Sequence, residues 1–291
     1  MLKFGVVILN YLAYECSINC VNSFLNQKRK CDLLRIVVVD NNSPNESYEI
    51  LKQHFVNNED VTVIKADSNR GFSCGNNYGY SALESFGPFD YYIFSNDDII
   101  FEDGNLFDWI EETYSSQEFA ILGPDIYSKR YLYHQSPLSN SPTNYIGCKK
   151  FIFKLQQKKM LAYIKDTIKN VIKYQAPNNV NNFRDSEGYR EAALNVTLHG
   201  SFLVFHNSYF DNYTEPFDPR LFLYGEEDIL RLRCLIKNLS LYYSPKFTVT
   251  HLQDSSSFTL KKTDYFKEYK RLKHQIDSLS VYCKLLRENG Y

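Results

Sequence analysis

The chain has 291 residues, with 33 Lys and Arg against 34 Asp and Glu and a formal net charge of −1. That balance excludes a basic surface of the kind that grips nucleic acid, and no run of about 18 apolar residues is present to span a membrane. Its seven Cys form an odd set with no Cys-x-x-Cys pair, which predicts reduced thiols in a cytoplasmic protein rather than a disulfide scaffold.

The first element is a short apolar run, Phe4–Leu9, entered from Met1 without the apolar core of a signal peptide. Ala13–Asn26 then places Tyr14, Ile18, Val21 and Leu25 at helical spacing. Leu33–Val39 is apolar and β-branched and stops at Asp40-Asn41-Asn42. Ser43-Pro44-Asn45-Glu46 predicts a capping box with Pro in the first helical position, opening a helix that turns Tyr48, Leu51 and Phe55 inward. Val61–Lys65 is a third strand, Asn76–Ser85 a helix and Tyr91–Ser95 a fourth strand. Strands without polar alternation, separated by helices, predict a mostly parallel α/β sheet covered on both faces. Ligands bind outside the carboxyl ends of such strands. Asn10, Asp40, Asp67 and the pair Asp97 and Asp98 each follow a strand's end.

Leu106, Trp109 and Ile110 mark a further helix, and Phe119–Leu122 a short strand closed by Gly123-Pro124. Residues 126–190 change character, with Ser-, Pro- and Asn-rich turns at 136–144. Lys149–Lys173 follows with eight Lys and one Asp, and Leu155, Ile164, Ile168, Val171 and Ile172 are available for an apolar face. An inserted lid or acceptor-side element is expected there. Val196–Phe205 is read as a strand that includes His199-Gly200-Ser201, followed by a helix from Glu226 to Lys237 and a strand Thr248–His251. In the tail, Tyr269, Leu272, Ile276, Leu279, Cys283 and Leu286 recur in steps of three and four. Such a stripe either docks on its own domain or forms a homodimer seam.

The chemistry concentrates at Asp97 and Asp98, two adjacent carboxylates bordered by apolar Tyr91–Phe94 and Ile99-Ile100. Like charges in that setting call for a cation, and a divalent metal carrying a diphosphate satisfies both. Asp98 is assigned to the metal, and Asp97 or Asn96 to a ribose or a metal-bound water; a solvated turn is the bland alternative. Asp40 can accept the N–H of a pyrimidine base, since Ser43 takes the capping position. Small residues and Arg70 in Ser68–Asn77 let backbone approach a phosphate and offset its charge, although the stretch is neither a Walker loop nor a Gly-x-Gly-x-x-Gly fingerprint. Glu226, Glu227 and Asp228 open a helix, where acids favour the dipole. The apolar lead-in Leu221–Tyr224 also raises a carboxylate's pKa toward that of a general base, a role for at most one of the three. His251 ends an apolar strand as either a satisfied structural residue or a metal ligand. Gly200 can admit an acceptor sugar close to the backbone.

Together these residues resemble glycosyltransferase family 2, the inverting enzymes of GT-A fold, and especially bacterial rhamnosyltransferase-like members that build surface polysaccharides. The resemblance runs from Val6 to His251. It is carried by Val-Ile-Leu-Asn-Tyr (7–11), Val-Val-Asp-Asn-Asn-Ser (38–43), Asn-Arg-Gly-Phe (69–72) with Asn76 and Asn77, Ser-Asn-Asp-Asp (95–98), Phe-Asp-Pro-Arg-Leu-Phe-Leu-Tyr-Gly-Glu-Glu-Asp (217–228) and His251. It implies a Rossmann-like sheet with a nucleotide-sugar half (1–105), an acceptor half (106–253) carrying the insertion at 126–190, and a helical tail (254–291). It also implies a nucleoside-diphosphate sugar donor, Mn²⁺ or Mg²⁺, and a glycan or lipid-diphosphate-linked acceptor. Asn10, Asp40, Asn42, Asn69, Arg70, Gly71, Asn76 and Asp97 would hold the donor, and Asp98 and His251 the metal. Counting back from Arg233 puts Glu227 at the position of the family's base, where Asp is usual, and Asp228 stays close enough to serve instead. The Lys-rich 149–173 segment lies outside the matching motifs; it is either a peripheral membrane contact for an anionic acceptor or a solvated helix.

The 24 Tyr and 21 Phe suit carbohydrate surfaces, and an AT-rich genome gives the same bias. A nucleotidyltransferase is disfavoured because Asn10-Tyr11-Leu12-Ala13-Tyr14 is no Gly-rich basic loop, and a dehydrogenase because the glycine fingerprint is missing. A non-catalytic sugar-nucleotide-binding or scaffold protein of the same fold remains the competing reading.

Overall fold

The alternation of strand and helix expected of the first hundred residues is realised. A computed structural model describes residues 2–27, 33–101, 105–138, 142–172, 184–253 and 264–291, and for 166, 168–172, 264 and 265 the backbone alone. Positions 139–141 of the turn-rich stretch, 173–183 of the insertion and 254–263 of the tail lie outside the described residues. So do the side chains of Ile168, Val171 and Ile172.

In chain order the first half comprises β1 (Lys3–Asn10), α1 (Tyr14–Leu25), β2 (Leu33–Asp40), α2 (Ser47–His54), β3 (Val61–Lys65), α3 (Gly71–Glu84), β4 (Tyr91–Asn96) and β5 (Ile99–Ile100). There follow α4 (Leu106–Ser116), β6 (Ile121–Ser128), β7 (Tyr133–His134), α5 (Tyr145–Ile172), β8 (Ala193–Leu194), β9 (Phe202–His206), α6 (Glu226–Lys237), β10 (Leu241–His251) and α7 (Asp264–Glu288). The strands form one sheet in the order β3-β2-β1-β4-β9-β6-β10-β5, with β7 on β6 and β8 on β10. β1, β2, β3, β4, β6 and β10 run in one direction, while β9 is inserted antiparallel between β4 and β6.

Both faces of this sheet are apolar because the central strands carry no polar alternation. Phe4, Val6 and Ile8 of β1 pack with Leu34, Ile36 and Val38 of β2 against α1 and α4 through Cys20, Phe24, Leu106 and Phe107. The intervening Val7, Val37, Val39 and Phe94 face α3 and α6 through Tyr80, Leu83 and Leu230. A third core joins Cys148, Ile152 and Leu155 of α5 to Ile229 and Leu232 of α6 and to Leu272, Ile276, Leu279, Cys283 and Leu286 of α7. The tail stripe from Leu272 to Leu286 is therefore covered by its own chain, the first of the two arrangements expected for it, and is not free to form a homodimer seam.

Several elements differ from expectation. Ser43 does not cap α2: its Oγ accepts from Leu12 N at 2.9 Å, and the helix starts later, after Glu46 and without a side-chain cap. α3 begins at Gly71 rather than Asn76, because Gly75, like Gly79 further along, is a packing contact and not a loop residue. A Cβ on either would strike Leu9 or Val7 of β1. β6 runs through Gly123-Pro124 to Ser128, so 126–128 belongs to the central sheet and not to the insertion. Pro124 is tolerated because it sits opposite Ser244, where β10 bulges between Ser244 and Thr248. The same bulge, at Ser244-Pro245-Lys246, hides the first half of β10. His199-Gly200-Ser201 is a turn that leads into β9 and is not part of the strand.

Candidate active site

β4 delivers Asp97 and Asp98 into a tight turn, and β5 then returns antiparallel to the end of β10, pairing Ile99 with His251 and Ile100 with Thr250. Leu252 N donates to Asp98 O at 2.9 Å and locks this register. The consequence is that Asp98 Oδ1 lies 3.3 Å from His251 Nε2, although the residues are far apart in sequence. Asp98 is 1% exposed, yet neither carboxylate oxygen accepts a hydrogen bond.

The histidine's orientation comes from a residue outside every motif noted above. His134 Nδ1 sits 2.7 Å from Asp125 Oδ2, and Gln135 N donates to Ile126 O, which pins the β7 segment on β6. Gln135 Nε2 donates to the Tyr133 hydroxyl, leaving its Oε1 to accept from His251 Nδ1 at 2.9 Å. With Nδ1 donating to Gln135, the His251 ring turns the lone pair of Nε2 toward Asp98. Two acceptors then face each other at the bottom of a buried turn, an arrangement that positive charge between them makes favourable. A carboxylate and an imidazole held by an outer hydrogen bond are a suitable donor pair for Mn²⁺ or Mg²⁺. Among the described residues no group of three or more His, Cys, Asp and Glu makes an all-protein cage. Two such side chains would leave room on a bound ion for oxygens of a diphosphate and water.

The turn at 199–201 links this pair to the second acidic cluster. Asn96 N donates to Ser201 O at 2.8 Å, and the His199 and His251 rings meet edge to face at 5.7 Å between centroids. Burial first, and His251 second, push His199 down to about 3, so it is neutral. Gly200 N donates to Glu227 Oε1 at 3.3 Å, and any side chain at Gly200 would press on that carboxylate. Desolvation raises Glu227 to about 7. Glu226 is 6% exposed, and burial followed by repulsion from Glu227 holds it well above the carboxylate range. Asp228 lies toward the third core, where its charge adds to burial in raising the Tyr282 hydroxyl and, after burial and Cys283, in raising the Cys148 thiol. The three acids thus face different surroundings, and Glu227 is the one beside Gly200.

On the other side of the crevice the expected donor residues divide. Asn10 and Asp40 are fully buried, with Asn10 Nδ2 donating to Asp40 Oδ2 at 2.7 Å and Ser43 N to Asp40 Oδ1 at 2.9 Å. Asp40 is thus engaged internally, contrary to the expectation that Ser43 leaves it free. Asn69 Oδ1 accepts from Gly71 N and from Asn41 Nδ2, while Asn76, 1% exposed, donates to Phe72 O within its own helix. Gly71, at φ +85°, is small because the Phe222 carbonyl occupies the space of a Cβ; Phe72 N donates to the same oxygen at 2.8 Å. Asp97 is 5% exposed and receives the Tyr11 backbone N–H, and burial together with the neighbouring Asp98 raises it well above its ordinary value. Asn42 and Arg70 are the exposed members of the set.

Gln135 and the Gly71–Phe222 contact were not found in the sequence. A polar residue in a turn-rich segment and a glycine in an apparent loop carry no local mark of a partner on a distant element.

The model of the family described as "Glycosyl transferase family 2" matches residues 5–168, more than half of the chain. Among solved structures, S. aureus TarS (residues 1–349) superposes with a TM-score of 0.51 at 14% identity, covering 96% of this chain and 65% of that one. GalNAc-T7, solved with UDP, GalNAc and Mn²⁺, gives a TM-score of 0.55 at 13% identity and covers 94% and 47%. The chain therefore spans less than two thirds of either neighbour, and at these identities the likeness establishes the fold alone. No curated protein sequence matches. Sheet order, family match and structural neighbours agree: the chain belongs to glycosyl transferase family 2 and has the GT-A fold.

Proposed function

We propose that this glycosyltransferase is metal-dependent and inverting, moving a hexosyl unit from a nucleoside-diphosphate sugar to a glycan or lipid-diphosphate-linked acceptor in bacterial surface-polysaccharide synthesis. The observation that carries this reading is the Asp98–His251 pair, buried and without hydrogen bonds on the carboxylate, one short turn away from Glu227. Asp98 and His251 would hold Mn²⁺ or Mg²⁺, which when bound would supply positive charge to offset the departing diphosphate. The Mn²⁺ bound in GalNAc-T7 supports a divalent ion in this fold.

Glu227 is the general base. Its value near 7 lets it ionise at neutral pH and still hold a proton. It takes the proton of the acceptor hydroxyl while that oxygen bonds to the anomeric carbon. The bond from that carbon to the diphosphate oxygen breaks from the opposite face, which inverts the centre. His199, pushed down to about 3 by burial, adds no charge beside His251. Asn42 and Arg70 meet the donor, with Arg70 offsetting phosphate charge. Asn10, Asp40, Asn69, Gly71, Asn76 and Asp97 brace the wall behind them.

A panel of uridine and thymidine diphosphate sugars with Mn²⁺, scored for free nucleoside diphosphate with and without glycan acceptors, tests the proposal. Release from one donor, abolished by E227Q, is expected. Silence across the panel would overturn it in favour of a sugar-nucleotide-binding module.

A further inference from the structure

α5 has two apolar faces, and only one is covered. Cys148, Ile152, Leu155 and Ala162 are buried, the first three in the core shared with α6 and α7. On the opposite side, Ile146, Phe153, Met160 and Ile164 recur at intervals of two heptads and one further turn, which puts them in one line along the helix. Their exposures are 65%, 60%, 66% and 40%, and Leu161 beside them is 56% exposed. Exposed Lys149 flanks the line on one side and exposed Lys150, Lys154 and Lys158 on the other. Between Tyr145 and Lys165 the sequence contains no acid at all, although the whole chain is balanced in charge.

Large exposed apolar side chains in a continuous line mark a contact surface. The lysines decide what contacts it. A second copy of the chain laid symmetrically on this face would set lysine rows against lysine rows, which repel. An anionic bilayer surface attracts the same rows and accepts the apolar line between the headgroups. We infer that the outward face of α5 is a peripheral docking surface for an anionic lipid membrane, lying in the interface with Ile146, Phe153, Met160, Leu161 and Ile164 inserted. No helix among the described residues is long and apolar enough to cross a membrane. The covered face of the same helix packs against α6, which opens with the second acidic cluster. Cys148, in the first turn of α5, is close enough to Asp228 for the two to interact electrostatically, and Asp228 adjoins Glu227. A lipid-borne substrate would therefore arrive near the candidate base.

The inference stands apart from the reaction, and its test needs no turnover. The full chain is centrifuged with sucrose-loaded vesicles, either of phosphatidylcholine alone or of phosphatidylcholine with about a third phosphatidylglycerol. It should pellet with the anionic vesicles, remain in the supernatant with neutral ones, and be released as salt is raised. K149E/K150E/K154E should weaken the partition at least about a hundredfold, from the contribution of each basic residue near an anionic surface. F153S/M160S/I164S should abolish stable binding while far-ultraviolet circular dichroism and melting stay as in the wild type, since all three side chains face outward. Equal partition of wild type and both variants, or no pelleting of the wild type, would overturn the inference. So would sedimentation-velocity evidence for a dimer that F153S/M160S/I164S dissociates, because a second copy would then cover the face.

Discussion

Asp98 Oδ1 and His251 Nε2 are 3.3 Å apart, and the far nitrogen of the same imidazole is held 2.9 Å from Gln135 Oε1. This places a residue from the turn-rich middle of the chain in control of a group at the end of β10. Gln135→Leu removes the acceptor that fixes the His251 tautomer and ring orientation without touching Asp98. Affinity for Mn²⁺, measured by electron paramagnetic resonance titration, should fall about 10- to 100-fold, the usual cost of losing an outer-shell partner. Unchanged affinity would show that His251 is not held through Gln135.

The base assignment predicts a pH profile with a definite sign. Glu227 stands at about 7 in the fold, above its value in the unfolded chain, so the folded state keeps the proton to higher pH. Activity should rise along a limb of unit slope and level off above that pH, and E227Q should lose about 10²- to 10⁴-fold in kcat and lose the limb. Linkage gives the opposite trend for stability. The contribution of this group is full below the unfolded value and is lost as pH climbs through the folded one. E227Q should therefore match the wild type in urea denaturation near pH 4 and exceed it near pH 8, by on the order of 1–3 kcal/mol.

Gly200 offers a test that leaves the acids in place. A methyl group there would sit 2.9 Å from Glu227 Oε1, so G200A must displace the carboxylate. A drop in kcat of about tenfold or more, with stability changed by less than about 1 kcal/mol, is expected from misplacing a base by a few tenths of an ångström. A loss of folding with no specific kinetic effect would assign the glycine to packing alone.

Gly71 has the opposite character. Its φ of +85° and the Phe222 carbonyl over its Cα leave no room for a side chain. G71A should cost about 2 kcal/mol or more in chemical denaturation, a stability effect first and a donor-binding effect second.

These contrasts show which features were legible in the sequence. Strand ends and their acids could be read because apolar runs such as Leu33–Val39 and Tyr91–Phe94 stop abruptly at polar residues, and a covered parallel sheet directs those ends to one side. The convergence of Asp98 and His251 follows from the short β5, whose two residues are too few to register as a strand by pattern. The cap at Ser43 was misread because its hydroxyl is taken by Leu12, a partner on another loop. The same long-range competition puts Asp40 in the interior. The first turn of α3, residues 71–75, reads as a loop because a glycine that serves close packing is locally identical to one that serves a turn. Gln135 has no local signal, since its importance lies wholly in a bond to a strand more than a hundred residues away.

The most direct test of the central claim is release of nucleoside diphosphate from the cognate donor by protein stripped with chelator and then titrated with Mn²⁺. The wild type should be silent when stripped and recover activity saturably, while D98A and H251A, folded as judged by melting, should stay at least about a hundredfold lower at every metal concentration. Full activity of the stripped wild type, or an Mn²⁺ response in D98A equal to that of the wild type, would contradict the account.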